Sequence, residues 1–309
     1  FDGVVNIPLA TDKAALRISA SVADEAGYID YVSPFAYGPP NTGDPGPPAP
    51  TPVPVPDVKV LADQGINSSK LTAVRASLLW EPIDWLTVTP TVFYQERTAN
   101  GIDTVYQDTF GYSRPQASPY QAQGVSTKLV LSSLTAEADV GVGVLTSVTA
   151  YLDIDGNSAD DLTEIVTNIS YGGLPTPEAA AVISPILNSS ILTQFTQELR
   201  FASTWESPVS LVAGLFYEDN DNDARQKMFF KEGFGAVYGF STDLLFVKTQ
   251  PAHYGESSGF GNLTYKFADR YEIQAGARYS ELDVRFQRFG DGILNGGTST
   301  TDFGHKEYV

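Results

Sequence analysis

Six charged residues punctuate runs of alternating polar and apolar character: Arg17, Arg75, Glu198, Arg200, Glu218 and Arg278. Charges that recur every second position, with Leu, Ile or Phe between them, belong to one face of a strand. The chemistry open to such groups is gripping, because guanidinium and carboxylate make charge-assisted hydrogen bonds to a partner of opposite sign. The plainer alternative is a hydrated wall whose cross-strand ion pairs contribute about 0.2–1 kcal/mol each. Catalysis has no comparable set. Cysteine is absent, and the two histidines, His253 and His305, are far apart in sequence and lack partner motifs. There is no glycine-rich phosphate loop and no serine elbow. Carboxylates are plentiful, but no pair can be singled out at the roughly 5–10 Å that glycoside hydrolysis needs. The sequence therefore assigns no catalytic residue, no cofactor and no metal centre. Asp153, Asp155, Asn157 and Glu164 fall at EF-hand-like spacing, yet Gly156 is misplaced and no helix flanks the run. At most they form a loose calcium site on a loop, and Asp219, Asp221 and Asp223 read as the start of a solvated loop.

Composition sets the surroundings. A formal charge of −18 and a pI near 4.3 argue against nucleic acid, whose phosphates need a basic face. No stretch approaches the roughly 18 apolar residues of a membrane helix. Strands that expose only alternate residues to lipid escape that test. The chain opens at Phe1 without a basic, apolar leader, so an exported mature product or part of one is expected.

The elements that must position these charges are strands joined in strict alternation by tight turns and long polar loops. The tight connections are expected at residues 11–13, 82–84, 136–139, 206–208 and 268–270, and the long ones near 33–69, 97–123, 156–193 and 222–257. Hairpins short at one end and long at the other mark an outer-membrane β-barrel, with turns towards the periplasm and loops outside. In a soluble sandwich nothing separates the two ends, and connections beyond about 15 residues are uncommon.

Period-two reading assigns the faces. Leu86, Val88, Val92 and Tyr94 oppose Thr87, Thr89, Thr91 and Phe93, with Pro90 expected to distort the ladder. Leu199, Phe201, Leu211, Leu215, Ile273 and Ala277 are expected outward in lipid, and the six charges inward. Arg or Lys facing lipid near the bilayer midplane costs about 2–4 kcal/mol, so inward placement is nearly forced. Trp80, Trp85, Trp205 and Tyr271 flank the tight turns, whereas Tyr94, Tyr217 and Tyr279 lie at the other ends of the apolar faces, as two interfacial belts would. The reading is an all-β fold: an antiparallel transmembrane β-barrel wall of about ten strands, with both edges open. Residues 34–56 are expected to form stiff polyproline II, and Thr176-Pro177-Glu178 to open a short loop helix.

Several segments resemble one family in order and hairpin spacing. They are Val5-Asn6-Ile7-Pro8-Leu9 with Ala15-Leu16-Arg17-Ile18-Ser19, Gly27-Tyr28-Ile29-Asp30, Leu79-Trp80-Glu81-Pro82, and Leu145-Thr146-Ser147-Val148-Thr149-Ala150-Tyr151. Further on come Gln197-Glu198-Leu199-Arg200-Phe201, Ala213-Gly214-Leu215-Phe216-Tyr217 and Gly276-Ala277-Arg278-Tyr279. This set resembles the TonB-dependent outer-membrane receptors, in particular the sphingomonad-type group. The resemblance implies a barrel of about 22 strands filled by a plug, importing a scarce nutrient with energy from TonB. Residues 1–309 would be the N-terminal part of that barrel, without the plug domain or the C-terminal strands. The implied partners are outer-membrane lipid, the plug, the remaining strands, TonB and a small-molecule or glycan ligand such as a siderophore or vitamin B12. Two alternatives stay open: a passive porin with the same wall physics, and a soluble secreted all-β carbohydrate-binding module.

Overall fold

The computed structural model describes residues 1–31, 65–101, 116–117, 123–162, 185–230, 233–237, 239–268, 270–295 and 298–308. The expected polyproline stretch, the helix at Thr176 and Glu164 all lie outside these residues. Eleven strands form one antiparallel sheet: β1 (Asp2–Ala10), β2 (Ala14–Glu25), β4 (Ser69–Ile83), β5 (Leu86–Ala99), β7 (Gly124–Asp139), β8 (Gly143–Asp160), β9 (Ile186–Ser203), β10 (Val209–Phe229), β11 (Leu244–Phe267), β12 (Tyr271–Asp291) and β13 (Ser299–Tyr308). A separate parallel bridge joins β3 (Asp30–Tyr31) to β6 (Gln116–Ala117). One helical turn, α1 (Phe234–Val237), lies between β10 and β11. Neighbours in the sheet are neighbours in sequence throughout, an up-and-down order with β1 and β13 at the two edges.

All tight turns share one rim. Backbone hydrogen bonds join each hairpin end to the next: Glu81 to Lys13 (2.7 Å), Asp139 to Trp85 (2.8 Å), Thr204 to Val142 (3.1 Å) and Lys266 to Pro208 (2.8 Å). The long connections leave from the opposite rim. The third turn falls later than expected, at 140–142, because β7 stays paired to Asp139. Its sharpness is local chemistry: Gly141 takes φ 81°, and its N–H donates to Asp139 Oδ1 at 2.8 Å.

Register tests the faces directly, since residues opposite each other across a ladder share a face. The chain of partners Trp80–Val88–Ala136–Ser147–Leu199–Leu215–Gly259–Tyr279 crosses eight successive strands of the sheet without changing side. Leu86, Phe201, Leu211, Ile273 and Ala277 fall on that same face. It is exposed: Leu215 is 64%, Ile273 59% and Tyr279 61% accessible. Thr87, Thr89, Glu198, Arg200 and Arg278 occupy the other face. From Tyr271 to Tyr279 is eight residue steps, about 27 Å along the strand and about 21 Å along an axis tilted by ~40°. That is close to the roughly 25 Å apolar band of a membrane barrel. Stacked Tyr265, Phe267 and Tyr271 (5.7 and 5.4 Å between ring centroids) border it on the turn side, and stacked Tyr279 and Tyr308 (6.5 Å) on the loop side. A polar cluster within the band satisfies itself: Thr149 donates to Gln197 Oε1 (2.5 Å), whose amide donates to Ser147 Oγ (3.1 Å).

Several expectations need correction. The main sheet has eleven strands, in keeping with the expected ten or so, and the last of them starts earlier than the chain end suggests, at Ser299. The stretch 222–257 is largely strand: β10 runs to Phe229 and β11 starts at Leu244, leaving a short connection. Its Asn- and Asp-rich sequence has turn propensity, but long-range pairing overrides it, aided by Ser190–Asn222 (2.9 Å) and Gln226–Asn188 (2.9 Å) hydrogen bonds. At the far ends of these long strands Ile186, Met228, Phe230 and Leu245 form a buried cluster that holds β9–β11 together. Likewise β8 continues to Asp160, so part of 156–193 is strand. Conversely β2 ends at Glu25 and not near residue 31, because Asn67 Oδ1 accepts the Tyr28 and Ile29 amides (2.8 and 2.9 Å) and pulls that segment off the ladder. Pro90 distorts the ladder as its missing N–H requires: pairing with β4 stops after Ser77–Thr91 and resumes at Trp80–Val88.

Candidate functional site

The charged face gathers its functional groups on β9–β12. Three register rows run across it. Arg200, Gly214, Phe260 and Arg278 form the first. Glu198, Phe216, Ser258 and Ser280 form the second, and Thr196, Glu218 and Glu256 the third. Guanidiniums thus lie nearest the turn rim and carboxylates one and two rows above them.

The contacts follow from this stacking. Arg278 pairs with Glu256 through Nη2 and Oε1, and its Cζ lies 5.3 Å from the Phe216 ring centroid. A guanidinium over an aromatic face gains electrostatic attraction while keeping its edge free for hydrogen bonds. Glu256 also accepts from Ser280 Oγ (3.1 Å) and Tyr254 OH (3.0 Å), and its side chain is only 13% exposed. Glu218 faces Glu256 across the ladder and is held by Gln194 Nε2 at 2.8 Å. Arg200 lies 3.8 Å from Glu198 on the same strand. The cluster therefore sets three carboxylates against two guanidiniums, a polar surface with an acidic excess suited to a cationic counterpart.

Of the six residues expected inward, four meet here: Glu198, Arg200, Glu218 and Arg278. Arg17 and Arg75 share the face but stand apart on β2 and β4, opposite Ser77 and Phe93. Sequence reading missed Glu256, the residue with most partners, because 222–257 reads as loop. The alternation Tyr254, Glu256, Ser258, Phe260 was the available signal. The described members of the calcium-like set lie in a row: Asp153, Asp155 and Asn157 follow one another along one side of β8, with Asn157 donating to Asp155 at 2.8 Å. A strand spaces such residues in a row, whereas an EF-hand loop curls them round an ion.

No protein-family model matches the sequence, and no curated protein matches it. Solved structures do. The ferric yersiniabactin uptake receptor FyuA from Yersinia pestis superposes with a TM-score of 0.69 at 12% identity, over 100% of this chain and 40% of the receptor. The siderophore receptor PiuA from Acinetobacter baumannii superposes with a TM-score of 0.59 at 10% identity, over 99% of this chain and 43% of the receptor. The chain thus spans about two-fifths of the length of these receptors. At such identities the likeness is one of fold: the sheet matches a stretch of antiparallel barrel wall in these receptors.

Proposed function

We propose that the chain is the N-terminal part of the barrel of an outer-membrane receptor of sphingomonad type, which imports a scarce nutrient using energy delivered through TonB. The observation that carries this reading is the register: one predominantly apolar, exposed face across paired strands, bounded by aromatic rings, with Arg17, Arg75, Glu198, Arg200, Glu218, Glu256 and Arg278 on the other face. The apolar face meets outer-membrane lipid, since a sheet exposing such a face to water would aggregate. The charged face meets a plug domain supplied by the full-length protein. Arg17, Arg75, Glu198, Arg200, Glu218 and Arg278 are the residues that would grip it, and a water-filled lumen has no need for an arginine packed on Phe216. The remaining strands would pair with the edges β1 and β13. Of the two solved structures described above, one is an uptake receptor and the other a siderophore receptor by name, which favours a siderophore-like cargo, with vitamin B12 or a glycan as the other ligands weighed.

The test uses the full-length protein. It should fractionate with the outer membrane, give no steady conductance in planar bilayers, and support ligand uptake only in cells that carry TonB. A constant open conductance would establish the passive porin instead. Recovery of the protein without detergent would establish a soluble module.

A further inference from the structure

On the apolar side of the wall, just beyond the tyrosine ring, two neighbouring aspartates converge with a histidine that the sequence keeps more than thirty positions away. Asp219 and Asp221 follow Tyr217 on the same face of β10, and His253 stands directly opposite Asp221 on β11. One donor atom from each of the three lies within 4.8 Å of the other two. We propose that Asp219, Asp221 and His253 form a binding site for a divalent transition-metal ion of zinc type.

The imidazole is what separates this set from an acidic patch. Histidine with carboxylates is a borderline donor set that suits zinc and its neighbours, whereas calcium asks for six to eight oxygens. His253 Nδ1 lies 2.9 Å from Asp221 Oδ1. Donors held about 2.0–2.2 Å from a tetrahedral ion are themselves about 3.3–3.6 Å apart, so an ion can replace the shared proton with little movement. Asp219 is already oriented, its Oδ2 accepting from Tyr217 OH at 3.4 Å. The position opposite Asp219 is Gly255, where an added Cβ would lie 3.5 Å from His253 Nε2. Glycine there leaves the space beside the ring open. The nearest cation across the ladder, Arg285, is engaged by Asp283 at 2.7 Å and does not occupy the set. All three ligands stand on two strands paired without a break around them, so the backbone geometry is fixed before any ion arrives. Three protein ligands leave the remaining coordination positions to water or an anionic group.

The two histidines of the chain make the test clean, because His305 serves as an internal control. The full-length protein, labelled with carbon-13 at histidine and held in detergent micelles, is titrated with Zn²⁺, the His253 and His305 resonances being assigned by His253→Gln and His305→Gln. The His253 ring resonances should shift at micromolar metal while those of His305 stay in place, and Ca²⁺ at the same concentration should leave both unmoved. Asp219→Asn and Asp221→Asn, which keep side-chain volume, should each weaken binding about tenfold or more. The proposal is overturned if both histidines shift together only at millimolar Zn²⁺, or if the asparagine variants bind as the parent does. Should a variant fail to fold, the differential response of the two histidines in the parent chain decides alone.

Discussion

Lys13 Nζ lies 2.9 Å from Asp84 Oδ1, so the first tight turn is tied through side chains to the second. The hydrogen bond from Lys13, and then its charge, hold the Asp84 carboxyl below the ordinary aspartate range. Reciprocally, the bond to Asp84 raises Lys13 above its ordinary value. A depressed carboxyl contributes stability above its unfolded pKa and loses it as pH falls through the folded value. A raised lysine contributes below its unfolded pKa and loses it as pH rises through the folded value. The contact is therefore intact across neutral pH and fades at both extremes. Carboxyl-carbon NMR should find Asp84 titrating low, and Lys13→Met should return it to the ordinary range. Both groups are well exposed, so the thermal midpoint should barely move.

Ala213→Arg should destabilise the chain in lipid by about 2–4 kcal/mol, because it places a guanidinium near the middle of the apolar band, midway between Val209 at the turn rim and Tyr217. Thr196→Arg, on the opposite face of the neighbouring strand, should cost far less. Urea unfolding in bilayers measures both. Equal costs would mean that the two faces are not distinct.

Phe260 lies across Gly214 on the charged face. A Cβ added at Gly214 would meet Phe260 Cζ at 2.5 Å and the Leu199 carbonyl oxygen at 2.8 Å. Gly214→Ala should therefore cost about 1–3 kcal/mol through overpacking. Adding Phe260→Ala should recover part of that loss in a double-mutant cycle, and the rest belongs to the backbone oxygen, which cannot move aside.

Residues 1–309 contain no cysteine, so thiols introduced among them have no native thiol beside them in this sequence. Membrane-impermeant labels on intact cells expressing the full-length protein should reach cysteines at Gly239 and Asn295, near the long-loop rim, and miss those at Asp84 and Glu206. The reverse pattern would invert the topology.

Fold class, the polarity of the two faces and the side on which Glu198, Arg200 and Arg278 stand are legible in the sequence. All three depend on local alternation, and a period of two is a property of the strand itself. Strand ends were harder to read. Beyond the membrane both faces of β10 and β11 are wet, so alternation fades at Asp219–Asp223, and turn-forming residues imitate a loop although long-range pairing keeps them in the sheet. Register is where tertiary structure alone decides. Which residues of β9, β10, β11 and β12 share a row depends on how hairpins of different length are aligned. That alignment sets Glu256 within reach of Arg278, Phe260 over Gly214, and His253 against Asp221 across thirty-two residues of sequence.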